Sequence, residues 1–338
     1  MKDISKIVSE VDVSRRGVMA GAAGLAAAAS MMGISSSVFA QQVNRWGSSS
    51  IGSTGYVIIE ALASTVNKHA KFRNSSMATS GGAENMALIG QGQMEFAQTT
   101  STDWQPAVNG EAPYGQKIDV NQVLAYTVFN CTPMVRAESP IKTLADLAGK
   151  RCMPSPAGSS TAAMWKVLFE AAGINVNWTY GSWRESYDAL RAGAVDCIPS
   201  LLTNSRPAPI LTELEATTPV RILPIPADVM KKAQAINPGV LSGELNPTDW
   251  KTMKEPMNSA SFAGILAVHP KISEQMVYDV CKAVFDNAAE VQAIGKQLKD
   301  IDPVFGARYL MSGFKVHPGA AKYFKEKNLW RDELTVAS

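Results

Sequence analysis

The stretch WGSSSIGSTGYVIIEALASTVNK, Trp46 to Lys68, joins a short apolar run to an apolar-periodic segment through a loop made almost wholly of Ser, Gly and Thr. Small residues let backbone N–H groups close around an anion, and a following helix offers it a positive end. Nucleotide phosphate chemistry does not fit. No Lys follows Gly52 or Gly55 as a P-loop requires, and GxGxxG spacing is absent. The loop therefore reads either as a collar for an anion or polar group, without the machinery of phosphoryl transfer, or as a flexible Ser/Gly connector.

Other chemistry is sparse. The three histidines are His69, which ends a helix pattern, and His269 and His317, which each precede Pro; these are turn and cap positions. Cys131, Cys152, Cys197 and Cys281 lie far apart with no CxxC pair, so metal and thioredoxin-like spacings are missing. Cys152 and Cys197 fall in apolar strand-like runs, where free Cys behaves as a small hydrophobe. Buried thiols are expected, with Cys152 to Cys197 the one bridge the pattern would allow. No paired-carboxylate motif or base beside a nucleophile is visible, so catalytic residues, metal and cofactor are all expected to be absent, and an exported enzyme is the most distant reading.

Ahead of the collar, Ser14, Arg15 and Arg16 precede a Gly/Ala-rich, mildly apolar run with no charge until Arg45, and Val38-Phe39-Ala40 suits a signal peptidase. Residues 1–40 read as a twin-arginine-type signal peptide, cleaved after Ala40, which directs the protein to the periplasm. The rest suits two domains. Of 32 basic and 30 acidic side chains in the whole chain, 28 and 27 lie beyond Ala40, a balance of +1 without any block of like charge. Such neutrality argues against nucleic acid or an anionic membrane surface as partner.

Strand and helix signals alternate, the pattern of α/β domains with mostly parallel sheets. VNRWG, RNSSMATS and MEFAQTT read as strands, each followed by a helix, the third helix capped by Ser101 or Thr102. After VNQVLAYTVFNCTPMVRAES the register restarts with RCMPSP, VNWTY and AVDCIPS as strands between helices, and SFAGILAVHP reads as a long strand crossing back. The expected organisation is lobe I over residues 41–136 plus 259–338 and an inserted lobe II over 137–258, with hinge crossings near Phe129 to Arg136 and Ser259 to Gly264.

Five blocks in this order, GSTGYVIIEALASTVNK, ATSGGAENMALIGQGQMEFAQTTS, IKTLADLAGKRCMPSPAGSST, ALRAGAVDCIPS and HPGAAKYFKEKNLW, resemble the TAXI family of extracytoplasmic solute receptors. The resemblance runs from Val43 to Trp330. It implies a type-II periplasmic-binding-protein fold, monomeric action, and delivery of a small organic acid or amino acid to a TRAP-type secondary transporter. A binding protein for an ABC importer would share the fold. Where the family's first loop often runs through Gly and Thr, this one has Ser48, Ser49, Ser50 and Ser53, which puts the usual ligand in question.

In open parallel sheets, ligands sit beyond the carboxyl ends of strands, where helix N-termini point. The loops 48–56, 79–83 and 155–161 occupy such places. Ser53, Thr54, Gly55 and Tyr56 are therefore expected on one side of a cleft, with Ser80 and Gly81 beside them. Ser155, Ser159, Ser160 and Thr161 should face them, and Gln98 and Thr99 should form the floor. Trp183, in the loop after VNWTYG, is the tryptophan expected to reach the cleft. Arg136 and Arg206 read as surface ion-pair partners. Many neutral donors suit a receptor that must release a carboxylate, and helix ends favour an anion by about 0.3 to 1 kcal/mol apiece at exposed sites.

Overall fold

Three βα units open the described chain. The computed structural model describes residues 43–338 apart from 249 and 251, so the expected signal peptide and its cleavage site lie outside the described residues. Strands β1 (Val43–Gly47), β2 (Arg73–Met77) and β3 (Phe96–Thr100) are followed by helices α1 (Thr54–His69), α2 (Gly82–Gly90) and α3 (Ser101–Asn109). Helix α1 forms because Ile58, Ile59, Leu62 and Val66 recur on one face and are wholly buried. Ser53 caps it, its Oγ accepting from the Tyr56 N–H at 3.1 Å. At α3 the cap is Thr100 rather than Ser101 or Thr102, because Asp103 at the third helical position reaches back to the Thr100 N–H at 2.7 Å.

The chain next runs along β4 (Asn121–Asn130) into β5 (Pro133–Arg136), β6 (Arg151–Cys152), α4 (Ser160–Ala172), β7 (Asn177–Trp178), α5 (Trp183–Ala192) and β8 (Ile198–Pro199). A hairpin of β9 (Leu202–Thr203) and β10 (Arg206–Pro207) leads to α6 (Pro209–Thr217), β11 (Val220–Ile222), α7 (Ala227–Ile236) and β12 (Leu241–Leu245). Strand β13 (Met257–Val268) brings the chain back, and α8 (Glu274–Phe285), α9 (Ala288–Ile294), α10 (Pro303–Arg308), β14 (Lys315–Val316), α11 (Pro318–Glu326) and β15 (Thr335–Val336) complete it.

The main sheet has the order β10-β9-β4-β13-β3-β1-β2, with β12 on β13 and β14 joining β4 to β15. Its β2-β1-β3 part is parallel, while β13 runs antiparallel to both β3 and β4. Strands β4 and β13 are buried along nearly their whole length, which is why QVLAYTVF and SFAGILAV read as continuous apolar runs. The middle of the chain builds its own β11-β5-β8 and β6-β7 sheets, so the restart of register after β4 and its return at β13 are real features of the topology. The strands expected over RCMPSP, VNWTY and AVDCIPS shrink to two paired residues each. Hairpin β9–β10 instead returns to the main sheet, where Leu202 and Thr203 pair with Asn130 and Phe129.

Two contacts press the middle segment onto the start of α3. Ser101 Oγ donates to the Gly239 carbonyl at 2.5 Å, and Asn237 Nδ2 donates to the Thr102 carbonyl at 2.8 Å. A side chain at residue 239 would strike the Ser101 carbonyl oxygen at 2.0 Å, so only Gly permits this approach. All four cysteines are free and buried, with Cys152 and Cys197 side by side across a β-bridge. Arg136 pairs with Glu138 at 3.4 Å and Arg206 with Asp300, as surface partners.

Candidate functional site

Two helix N-termini meet at a small cavity. Helix α1 starts after the Ser/Gly/Thr loop that follows β1, and α4 starts after the loop that follows β6. Ser53 and Ser159 cap them in the same way, with extended backbone and an Oγ accepting from the third N–H of the helix, each at 3.1 Å. That leaves the first N–H groups, those of Thr54 and Gly55 on one side and of Ser160 and Thr161 on the other, without an intrahelical acceptor. The four residues all line one cavity of about 30 Å³, room for about two water molecules.

Of the residues expected at the cleft, Ser53, Thr54, Gly55, Gly81, Gln98, Ser159, Ser160, Thr161 and Trp183 line this cavity. Tyr56, Ser80, Thr99 and Ser155 do not, each for a visible reason. Tyr56 is half-buried beyond the cap, where its N–H is taken by Ser53. Ser80 Oγ and N–H both turn to Glu84 Oε2, at 2.5 and 2.7 Å. Ser155 stands behind Ser159, the two hydroxyls 2.9 Å apart. Thr99 points to the opposite face of the sheet, donating to the Ile265 carbonyl at 2.7 Å and accepting from Trp104 Nε1 at 3.1 Å. Strand alternation puts Gln98 and Thr100 on the cavity face together, so Thr100 fills the place expected of Thr99. Trp183 is no loop residue: it opens α5 and is 7% exposed.

The lining that sequence reasoning missed is mostly apolar and comes from distant strands. Phe129 on β4 and Phe262 on β13 meet in a tilted ring contact, centroids 5.6 Å apart, and Cys131 and Leu201 complete that wall. Burial pushes the Cys131 thiol up to about 12, so it is a neutral wall atom, not a nucleophile. Ser49 joins the polar side. Asn85 is a positioning residue behind it, with Nδ2 donating to the carbonyls of Ser48 at 2.8 Å and Gln98 at 2.7 Å, which ties the ends of β1 and β3 together.

No charged side chain lines the cavity, but one lies just behind it. Asp103 is 1% exposed, and its Oδ2 accepts from the Thr100 N–H at 2.7 Å, Thr100 Oγ1 at 3.2 Å and Ser160 Oγ at 2.8 Å. The Ser160 bond joins α3 to α4. Its Oδ1 is buried without a partner. Burial, only partly offset by the Ser160 and Thr100 hydrogen bonds, pushes this carboxyl up to about 6. The contact across the site is close: a Cβ on Gly82 would meet Asp103 Oδ2 at 2.1 Å and Ser160 Oγ at 2.4 Å, and Gly81, at φ 130°, abuts Ser159. Among the described residues no group of three or more His, Cys, Asp or Glu could hold a metal ion. The histidines are elsewhere: His69 pairs with Glu290, His317 caps α11, and His269 turns to the Lys271 N–H. Among the described residues no helix is long and apolar enough to cross a membrane.

Residues 46–327 match the NMT1-like family. The chain belongs to that family. MatC from Rhodopseudomonas palustris with bound malate is similar to this NMT1-like chain at 14% identity and a TM-score of 0.52, over 76% of this chain and 88% of that one. A structure described as a periplasmic transporter is similar at 12% identity and a TM-score of 0.51, over 76% and 86%. At such identities the likeness shows the fold, which for this NMT1-like chain is the type-II periplasmic-binding-protein arrangement of two α/β lobes crossed by two strands.

Proposed function

We propose that this protein is an extracytoplasmic solute receptor that captures a small organic anion between its two lobes. The observation that carries the reading is the pair of facing helix N-termini: Thr54 and Gly55 on one side and Ser160 and Thr161 on the other, around a cavity without a charged lining residue. Such ends bind carboxylate or sulfonate through backbone N–H groups and the helix field, worth more in a buried site than at an exposed one. The malate bound to MatC is in keeping with a carboxylate. Hydrogen bonds from neutral donors are modest singly, about 0.5 to 1.5 kcal/mol each, which suits cargo that must be handed on. Nothing in the lining supplies a base or an activated nucleophile, which supports a receptor over an enzyme.

The finer assignment, a monomeric TAXI-type receptor exported by a signal cleaved after Ala40 and delivering to a TRAP permease, rests on the sequence blocks from Val43 to Trp330. We place the lobe boundaries at 136/137, where β5 ends, and at 258/259, just inside the start of β13. Thermal-shift screening of the protein with acetate, malate, glutamate and ethanesulfonate is the test. An anion at 100 times its dissociation constant should add about 2.7 kcal/mol, while amines and neutral sugars should add nothing. Stabilisation by a cationic or neutral panel alone would remove the anion reading.

A further inference from the structure

A second cavity, of about 310 Å³, opens directly off the first. Ser53, Thr54, Trp183 and Leu201 line both, so the two are consecutive chambers of one cleft. Their chemistry differs. The inner chamber has the hydroxyls and helix ends, whereas the outer one is walled chiefly by Ile51, Val57, Trp183, Leu201, Pro209 and Ile210. Two of these are solvent-facing, Ile51 at 78% and Val57 at 47% exposure, and so stand at the rim. Its charged members, Arg184 and Glu213, form an ion pair with each other at 3.7 Å and are more than half exposed, so the one lining cation already has a carboxylate partner.

From this we infer the substrate class: a monoanion with a single apolar tail, its head at the helix ends of the inner chamber and its tail along the outer one. The inference rests on the proposed anion site and narrows it. A dicarboxylate would have to place its second charge against Leu201, Trp183 and Ile210, with no unpaired cation in the lining to receive it. An alkyl or aryl tail there exchanges water for apolar wall at about 0.8 kcal/mol per methylene, which is about fourfold in affinity for each carbon added.

Isothermal calorimetry with acetate, butanoate, hexanoate and succinate tests this. The dissociation constant should fall about fourfold per methylene from acetate to hexanoate, and succinate should bind at least about tenfold more weakly than butanoate, which has the same number of carbons. Val57→Glu, a change at an exposed rim position that leaves the core intact, should weaken hexanoate by severalfold and acetate much less. Affinity that is flat along the series, or succinate as tight as hexanoate, would overturn the tail chamber while leaving the head site standing. Failure of every anion, acetate included at high concentration, would overturn both together.

Discussion

Replacing Gly55 by Val should lower anion affinity by tenfold or more while the protein still folds. A Cβ at this position would meet Gln98 Oε1 at 2.3 Å and the amide carbon and nitrogen at 2.9 Å, so any side chain there displaces the Gln98 amide. That amide lines the cavity, and its Oε1 is buried without a hydrogen-bond partner. The space into which it can swing is the cavity itself, of about 30 Å³, so the substitution fills the site from within. The added branched side chain also shields the Thr54 and Gly55 N–H groups. Because the obstructing atoms are the end of a flexible side chain, the folding cost is that of modest overpacking, about 1 to 3 kcal/mol. Calorimetry of binding together with a thermal melt checks both halves. Unchanged affinity in a folded Gly55→Val protein would mean that the loop is only a connector.

The second large effect is set by Asp103. Its carboxyl lies at about 6 in the folded protein against 3.8 ordinarily, because burial outweighs its hydrogen bonds. A carboxyl raised on folding holds its proton more tightly in the native state, so its contribution is present below about 3.8 and is lost as pH rises to about 6. At about 1.4 kcal/mol per pH unit this amounts to about 3 kcal/mol. Glu95 and Asp196 are shifted the other way: burial would raise Glu95 but hydrogen bonds from Arg45 outweigh it, and hydrogen bonds from Arg151 hold Asp196 down, so both add stability as pH rises to their ordinary values, equally in wild type and in an Asp103 variant. Asp103→Asn has the shape of the protonated acid, so its carbonyl oxygen can keep the Thr100 and Ser160 bonds. The variant should match the wild type at pH 4 and exceed it by up to about 3 kcal/mol at pH 8. Urea unfolding at both values checks this, and parallel pH profiles of the two proteins would contradict it.

The same group gives anion binding a sign. A bound anion near Ser160 and Thr100 disfavours ionised Asp103, so affinity should fall as pH rises, by up to about tenfold between pH 5 and 7 if only the protonated form binds. Asp103→Asn should remove that slope.

Much of this site was written locally in the chain. The Ser/Gly/Thr loops before α1 and α4, with Ser53 and Ser159 as caps, follow from neighbouring residues alone, and so does the alternation that gives the α/β class. What stayed hidden depends on partners far away in sequence. Gly55 was legible as a place where backbone could approach a ligand, but its conflict with Gln98 needs β3 beside α1. Phe129 and Phe262 are ordinary members of apolar strands until β4 and β13 pair antiparallel and bring them together. Nothing local in the sequence marks Asp103: it lies in the first turn of α3, and its bond to Ser160 depends on the approach of α4. Thr99 and Thr100 differ by strand alternation alone, a local signal: Thr100 shares the cavity face with Gln98, and Thr99 turns to the Ile265 carbonyl.

The central claim is that an anion is held by the first N–H groups of α1 and α4. Amide-detected NMR of the isotope-labelled protein, titrated with an anion found by the thermal screen, tests it most directly. The N–H resonances of Thr54, Gly55, Ser160 and Thr161 should show the largest downfield shifts in the protein and saturate together at the calorimetric dissociation constant. Calorimetrically confirmed binding that leaves these four resonances in place would contradict the account.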